Sequence, residues 1–218
     1  MKKNNFNSLH ISEYSLAEML VNSITHGIGA LLSVAGLIIL CIQATTYGTY
    51  IHVVSYSIFG STLIILYSSS TLYHSFSNTR FHKLFRKIDH LAIYFLIAGT
   101  YTPFMLVGLK GATGWIMFKT IWGLAIIGCI LKFSKNKFLQ RIAFINYLLM
   151  GWLIIVVLDE LTVNIPTKTL YLLVSGGILY TTGVIFYLWD RLPFNHSIWH
   201  LFVLGGSASH YFSIYFLI

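Results

Sequence analysis

Charge is what this sequence has least of. Asp, Glu, Lys and Arg together make up 9% of its 218 residues, where a soluble domain carries about 25%. That scarcity excludes a water-soluble globular protein. The 56% hydrophobic content and a mean hydropathy of +0.76 point to a polytopic, all-α membrane protein. Acidic residues are fewest, six against fourteen Lys and Arg, for a net charge of +8. In a soluble chain that surplus would suggest nucleic acid. Here no nucleic-acid partner is expected, because basic residues orient membrane helices instead. Cysteine is also scarce. Cys41 and Cys129 fall inside helical segments at opposite membrane depths, so no disulfide is expected. A secretory signal peptide is not expected either: Lys2 and Lys3 are followed by polar NNFNSLH rather than an apolar run. The sequence shows no internal repeat, low-complexity tract or second domain. It divides into an N-terminal cytoplasmic or interfacial segment, residues 1–24, and a transmembrane domain, residues 25–218.

What is present is a series of apolar runs, and about 20 apolar residues span a bilayer core. Seven such spans are expected, roughly over residues 25–43, 51–74, 90–108, 115–133, 142–158, 170–189 and 196–217. Their short connections predict antiparallel neighbours. A cytoplasmic N-terminus places Lys2, Lys3, Arg80, Lys83, Arg86, Lys87, Lys132, Lys135, Lys137, Arg141 and Arg191 on the inner side. Only Lys110, Lys119 and Lys168 then lie on the outer side. The positive-inside rule favours this arrangement, with the C-terminus outside. The expected location is the cell (plasma) membrane.

Ser15-Leu-Ala-Glu18 reads as a capping box, starting a short interfacial helix that leads into the first span. Glu18, Asn22 and His26 recur every four residues and share a face, read as polar surface at the headgroups. Thr102-Pro103 predicts a kink in the third span. The pairs Gly27/Gly29, Gly176/Gly177 and Gly205/Gly206 predict close helix approach.

The chemistry gathers at one depth. His196 and His200 lie one turn apart on one face of the last helix, a spacing at which two imidazoles can share a metal ion. By topology the inner end of the second span brings Ser70 and His74 to the same leaflet, and the start of the third brings Asp89. Three histidines with an adjacent acid match a catalytic zinc, which takes three protein ligands and leaves a fourth position open. Asp89 could act as a base or orient a ligand, and Ser70 could hydrogen-bond a ligand histidine. The same residues could instead hydrogen-bond one another and lock the bundle. His210, ten residues past His200 and so about 15 Å along the helix, cannot share that ion and reads as a buried polar contact. His90 points about 100° away from Asp89 and ranks below His74.

These stretches form a recognisable set: EMLVNSITHGIG from Glu18 to Gly29, Ser70-Thr-Leu-Tyr-His74, Asp89-His90, Gly99-Thr-Tyr-Thr-Pro103, His196-Ser-Ile-Trp-His200 and His210-Tyr211. In that order, over nearly the whole chain, they resemble the bacterial hemolysin III family. That family sits in the superfamily of the progestin and adiponectin receptors and the alkaline ceramidases. The resemblance implies zinc (Zn2+) as cofactor, His74, His196 and His200 as its ligands, and Ser70 and Asp89 as accompanying catalytic polar residues.

Three functions follow as expectations. The first is a zinc-dependent hydrolase of a membrane lipid amide or ester, with the lipid bilayer and a lipid substrate as partners. The second is a pore-forming cytolysin or channel, disfavoured because the middles of the spans are almost wholly apolar. The third is a lipid-sensing, receptor-like protein in membrane homeostasis with a structural zinc. No oligomeric state is implied.

Overall fold

The computed structural model describes residues 15–77 and 79–218. The expected segment before Ser15, with His10, lies outside them. All regular structure among the described residues is helical.

Helix α1 (Leu16–Tyr47) starts at a capping box. Ser15 Oγ accepts from the Glu18 amide at 3.2 Å, and the Glu18 carboxylate accepts from the Ser15 amide at 2.8 Å. Two of the four amides left open at a helix start are satisfied this way. The helix then runs without interruption for 32 residues, about 48 Å. The separate interfacial helix expected before residue 25 is therefore the first two turns of α1 itself. Nothing in Ser23-Ile-Thr-His26 breaks the backbone, because it holds no proline and no glycine in a strained conformation.

Helix α2 (Tyr50–Ser75) returns antiparallel along α1, and α3 (His82–Pro103) along α2. Proline has no amide hydrogen to donate. At Pro103, where a kink is expected, the helix changes type into a π-helical turn, Phe104–Leu109. Helix α4 (Gly111–Phe133) follows. The next rod has three parts: α5 (Lys137–Trp152), a 3-10 turn (Leu153–Val157) and α6 (Leu158–Asn164). The turn coincides with LIIVV, whose last four residues are β-branched and weaker helix formers. Tyr101 stabilises the break: its hydroxyl donates to the Gly151 carbonyl at 3.1 Å and accepts from the Ile154 amide at 2.7 Å. Helix α7 (Thr167–Tyr187) and α8 (Asn195–Tyr215) form a tight antiparallel pair, and α8 packs back on α1.

Among the described residues, six helical rods are long and apolar enough to cross a membrane: α1, α2, α3 with its π turn, α4, the α5–α6 rod, and α7. Helix α8 matches α7 at 21 residues. Three histidines and four serines dilute its apolar content. The α3 rod is the core, with 78% of its most apolar stretch buried. In α4, the α5–α6 rod and α7 that share is 22%, as expected of helices whose outer faces meet lipid.

One glycine of each predicted pair is required for packing. A Cβ on Gly29 would come within 2.7 Å of Tyr67, and one on Gly206 within 2.8 Å of Tyr180. A Cβ on Gly176 would run into the His210 ring. Gly27 and Gly205 meet only ordinary contacts, and nothing lies within 4 Å of a Cβ on Gly177. Both cysteines are free.

Candidate metal centre and its cavity

The first turn of α8 is set by the start of α1. Phe194, just before α8, has φ 57°, a left-handed conformation that a bulky side chain rarely adopts. Its amide donates to Glu18 Oε1 at 3.0 Å, which holds the turn. One turn further along α1, Asn22 Oδ1 accepts from Ser197 Oγ at 2.6 Å. Asn22 is fully buried and His26 is 3% exposed. The reading of this face as headgroup surface is therefore wrong. Glu18, Asn22 and His26 instead dock α1 against α8. The signal was legible in their four-residue spacing, but spacing alone does not tell a lipid-water boundary from a helix interface.

This docking brings α8 against the end of α2. His74, His196 and His200 each offer a ring nitrogen, and these atoms all lie within 4.8 Å of one another. The ring centroids are 5.1 Å apart for His74 and His196, 5.0 Å for His74 and His200, and 4.6 Å for His196 and His200. His74 and His200 are each 2% exposed. The predicted trio therefore converges. His26 stacks face to face on His200, centroids 3.5 Å apart and planes 11° from parallel, and neither of its ring nitrogens has a hydrogen-bond partner among the described residues. It stands outside the trio's ligand geometry.

The donor set suits a divalent metal ion of borderline softness. Three imidazoles from two helices converge in a buried place, and His200 Nδ1 has no hydrogen-bond partner among the described residues. His90 does not join them. Its Nδ1 donates to the Arg86 carbonyl at 2.6 Å, the i−4 bond of its own helix, which commits that nitrogen.

Ser70 and Asp89 lie beside the trio, and the Ser70 hydroxyl sits against the Asp89 carboxylate. Both line a cavity of about 210 Å³ that also touches His196 and His200. This chamber runs between α2, α3, α5, α7 and α8, with mostly apolar walls such as Leu66, Ile97 and Val203. A second, polar recess of about 520 Å³ is lined by Glu18, Arg86, Asp190 and Arg191. Asp89, His90, Tyr187 and His196 belong to both. His196 and Asp89 thus stand at the neck between a polar mouth and an apolar chamber, with His200 and Ser70 on the chamber side and His74 packed against His196 and His200. Such a division suits an amphiphile, with its head in one compartment and its chain in the other.

Comparison with known proteins identifies the family of the chain. A family model described as "Haemolysin-III related" matches residues 14–211. The chain is 50% identical to "Hemolysin-3" of Bacillus cereus, over 92% of each protein. It is 46% identical to the "Hemolysin-3 homolog" of Bacillus subtilis (strain 168), over 93% of this chain and 95% of that one. The "Monocyte to macrophage differentiation factor" of Homo sapiens is 33% identical over 72% of this chain and 68% of its own length. With six rods suited to crossing a bilayer and close relatives from Bacillus, this is a bacterial-type multi-pass membrane protein in contact with the lipid bilayer.

Proposed function

This chain belongs to the Haemolysin-III related family, and from that premise we propose that it is a zinc-dependent hydrolase of an amide or ester bond in a membrane lipid. We propose α8 as a seventh span, the N-terminus in the cytoplasm, the C-terminus outside and the site in the inner leaflet. The observation that carries the reading is the junction of a polar recess and an apolar chamber: His196 and Asp89 line both, His200 and Ser70 line the chamber, and His74 completes the imidazole trio behind them.

His74, His196 and His200 hold the ion. Zinc, when bound, supplies a Lewis acid for the scissile carbonyl and lowers the pKa of water toward 7. The chain's own residues do the rest. The apolar chamber takes the acyl chain and excludes bulk water from it. The recess takes the polar head and admits the water that reacts. Asp89, reachable from both compartments, accepts that water's proton. Ser70 holds the Asp89 carboxylate in position from α2. The clasp of Asn22 on Ser197 keeps the α8 histidines at the depth of His74.

The test is elemental analysis with zinc-edge absorption on detergent-purified protein, paired with turnover of an N-acyl lipid amide. Wild type should hold about one zinc per chain with three imidazole ligands and one light oxygen ligand, and His200→Ala should lose both metal and turnover. Turnover that persists in a zinc-free variant overturns the reading.

The name printed for the Bacillus cereus relative favours a second reading, a cytolysin. Dye leakage from liposomes that survives zinc removal would select it.

A further inference from the structure

The stripe that carries His196 and His200 continues along α8 through Val203 and Ser207 to His210, at alternating steps of four and three residues. His196, His200, Val203 and His210 all line the same chamber. His210 therefore lies at the chamber's far reach, about 15 Å along the helix from His200. It is 9% exposed, and an ionisable side chain at such depth calls for a partner.

Its Nε2 lies 3.0 Å from the Leu173 carbonyl. A carbonyl only accepts, so Nε2 carries the hydrogen, and in the neutral ring Nδ1 is a bare acceptor. Nδ1 is buried and has no hydrogen-bond partner among the described residues. The other polar groups on this part of the wall are committed. Thr100 donates to the Leu96 carbonyl at 2.8 Å, Thr181 to the Gly177 carbonyl at 2.8 Å, and Tyr101 to Gly151 at 3.1 Å. Tyr180 and Ser207 bond each other at 2.7 Å. Gly176 leaves the room the imidazole occupies, since a Cβ there would run into it. The Nε2 edge of the ring is thus seated on α7 by a carbonyl and a bare glycine backbone.

We propose that His210 forms a second binding subsite, which accepts a hydrogen bond from a hydroxyl partway down the chain of a bound lipid. The ligand class is a hydroxylated long-chain fatty acyl compound, with its head at the neck and its hydroxyl at Nδ1. An unsubstituted chain leaves this acceptor buried and unpaired, and a hydroxylated chain pairs it. The chamber therefore discriminates by the penalty of an unmet polar group. The inference rests on the lipid reading of the chamber proposed above, but not on hydrolysis.

The experiment is calorimetric binding of three octadecanoic acids to detergent-purified, metal-stripped wild-type protein. One acid is unsubstituted, one carries a hydroxyl next to the carboxyl, and one carries it past mid-chain. The mid-chain hydroxyl should tighten binding about tenfold over the unsubstituted acid, and the hydroxyl next to the carboxyl should not. His210→Phe should bind the unsubstituted acid and lose the preference. Equal affinities across the series in wild type overturn the proposal without any variant. A preference that persists in folded His210→Phe overturns it as well. If none of the three acids binds, the lipid reading of the chamber falls too.

Discussion

The two ends of α8 present the same side chain in opposite settings. At the first end, His196 and His200 meet His74 from α2, with His26 of α1 stacked on His200. At the other, His210 stands alone against α7, with one ring nitrogen on the Leu173 carbonyl. The difference lies in which neighbours meet the helix. Where α1 and α2 both bring histidine to the depth of α8, a shared ligand set forms. Where α7 brings glycine and a backbone carbonyl, the imidazole becomes a fixed single acceptor. Histidine in an apolar helix is thus not one signal but two, separated by what the facing helices carry at that depth.

The largest way to break this contrast is at the trio. His196→Ala should lower zinc affinity by more than the about hundredfold typical of groups that only support ligands, as measured against a competing chelator. His210→Phe should leave zinc stoichiometry unchanged in the same assay. Asp89→Asn separates holding the ion from using it: zinc should stay bound, while lipid amide turnover falls by about 10²–10⁴-fold. If zinc is lost instead, Asp89 is a fourth ligand and the site is a closed structural one.

Smaller effects test how α1 sets the site. Asn22→Leu removes the acceptor for the buried Ser197 hydroxyl. It should destabilise the protein by about 1–3 kcal/mol, read as a lower thermal midpoint in detergent. The smallest effect is expected from His26→Phe. This change keeps a flat ring against His200 and removes two buried nitrogens that have no partner. Stability should hold or rise slightly, with zinc stoichiometry unchanged. A fall in stoichiometry would make His26 a ligand.

Much of this architecture was legible because membrane depth is a one-dimensional coordinate. Alternating spans carried Ser70, His74, Asp89, His196 and His200 to one side without any knowledge of side-chain contacts, and the trio met as that ordering requires. What was missed depends on azimuth or on local backbone chemistry. Whether Asn22 and His26 face headgroups or α8 is a rotation about α1 that depth cannot fix. The 3-10 turn at Leu153–Val157 carries no proline or glycine, and its stabilising partner, Tyr101, is about 50 residues away in sequence. Pro103 announced an irregularity, but proline alone does not specify its form, a π turn over buried residues. For the glycine pairs, only the facing side chain decides which member is needed, as Tyr67, His210 and Tyr180 do.

The clasp of α1 on α8 also orders events in time. Its bonds join residues 175 and 176 positions apart, Asn22 to Ser197 and Glu18 to Phe194. A growing chain folds from its N-terminal side first. Glu18, Asn22, His26 and His74 are thus in the membrane well before their partners are synthesised. Any nascent chain that stops short of α8 retains one histidine of the trio and no neck. The trio assembles only when the last helix docks, so a prematurely terminated protein inserts without the three-histidine cluster.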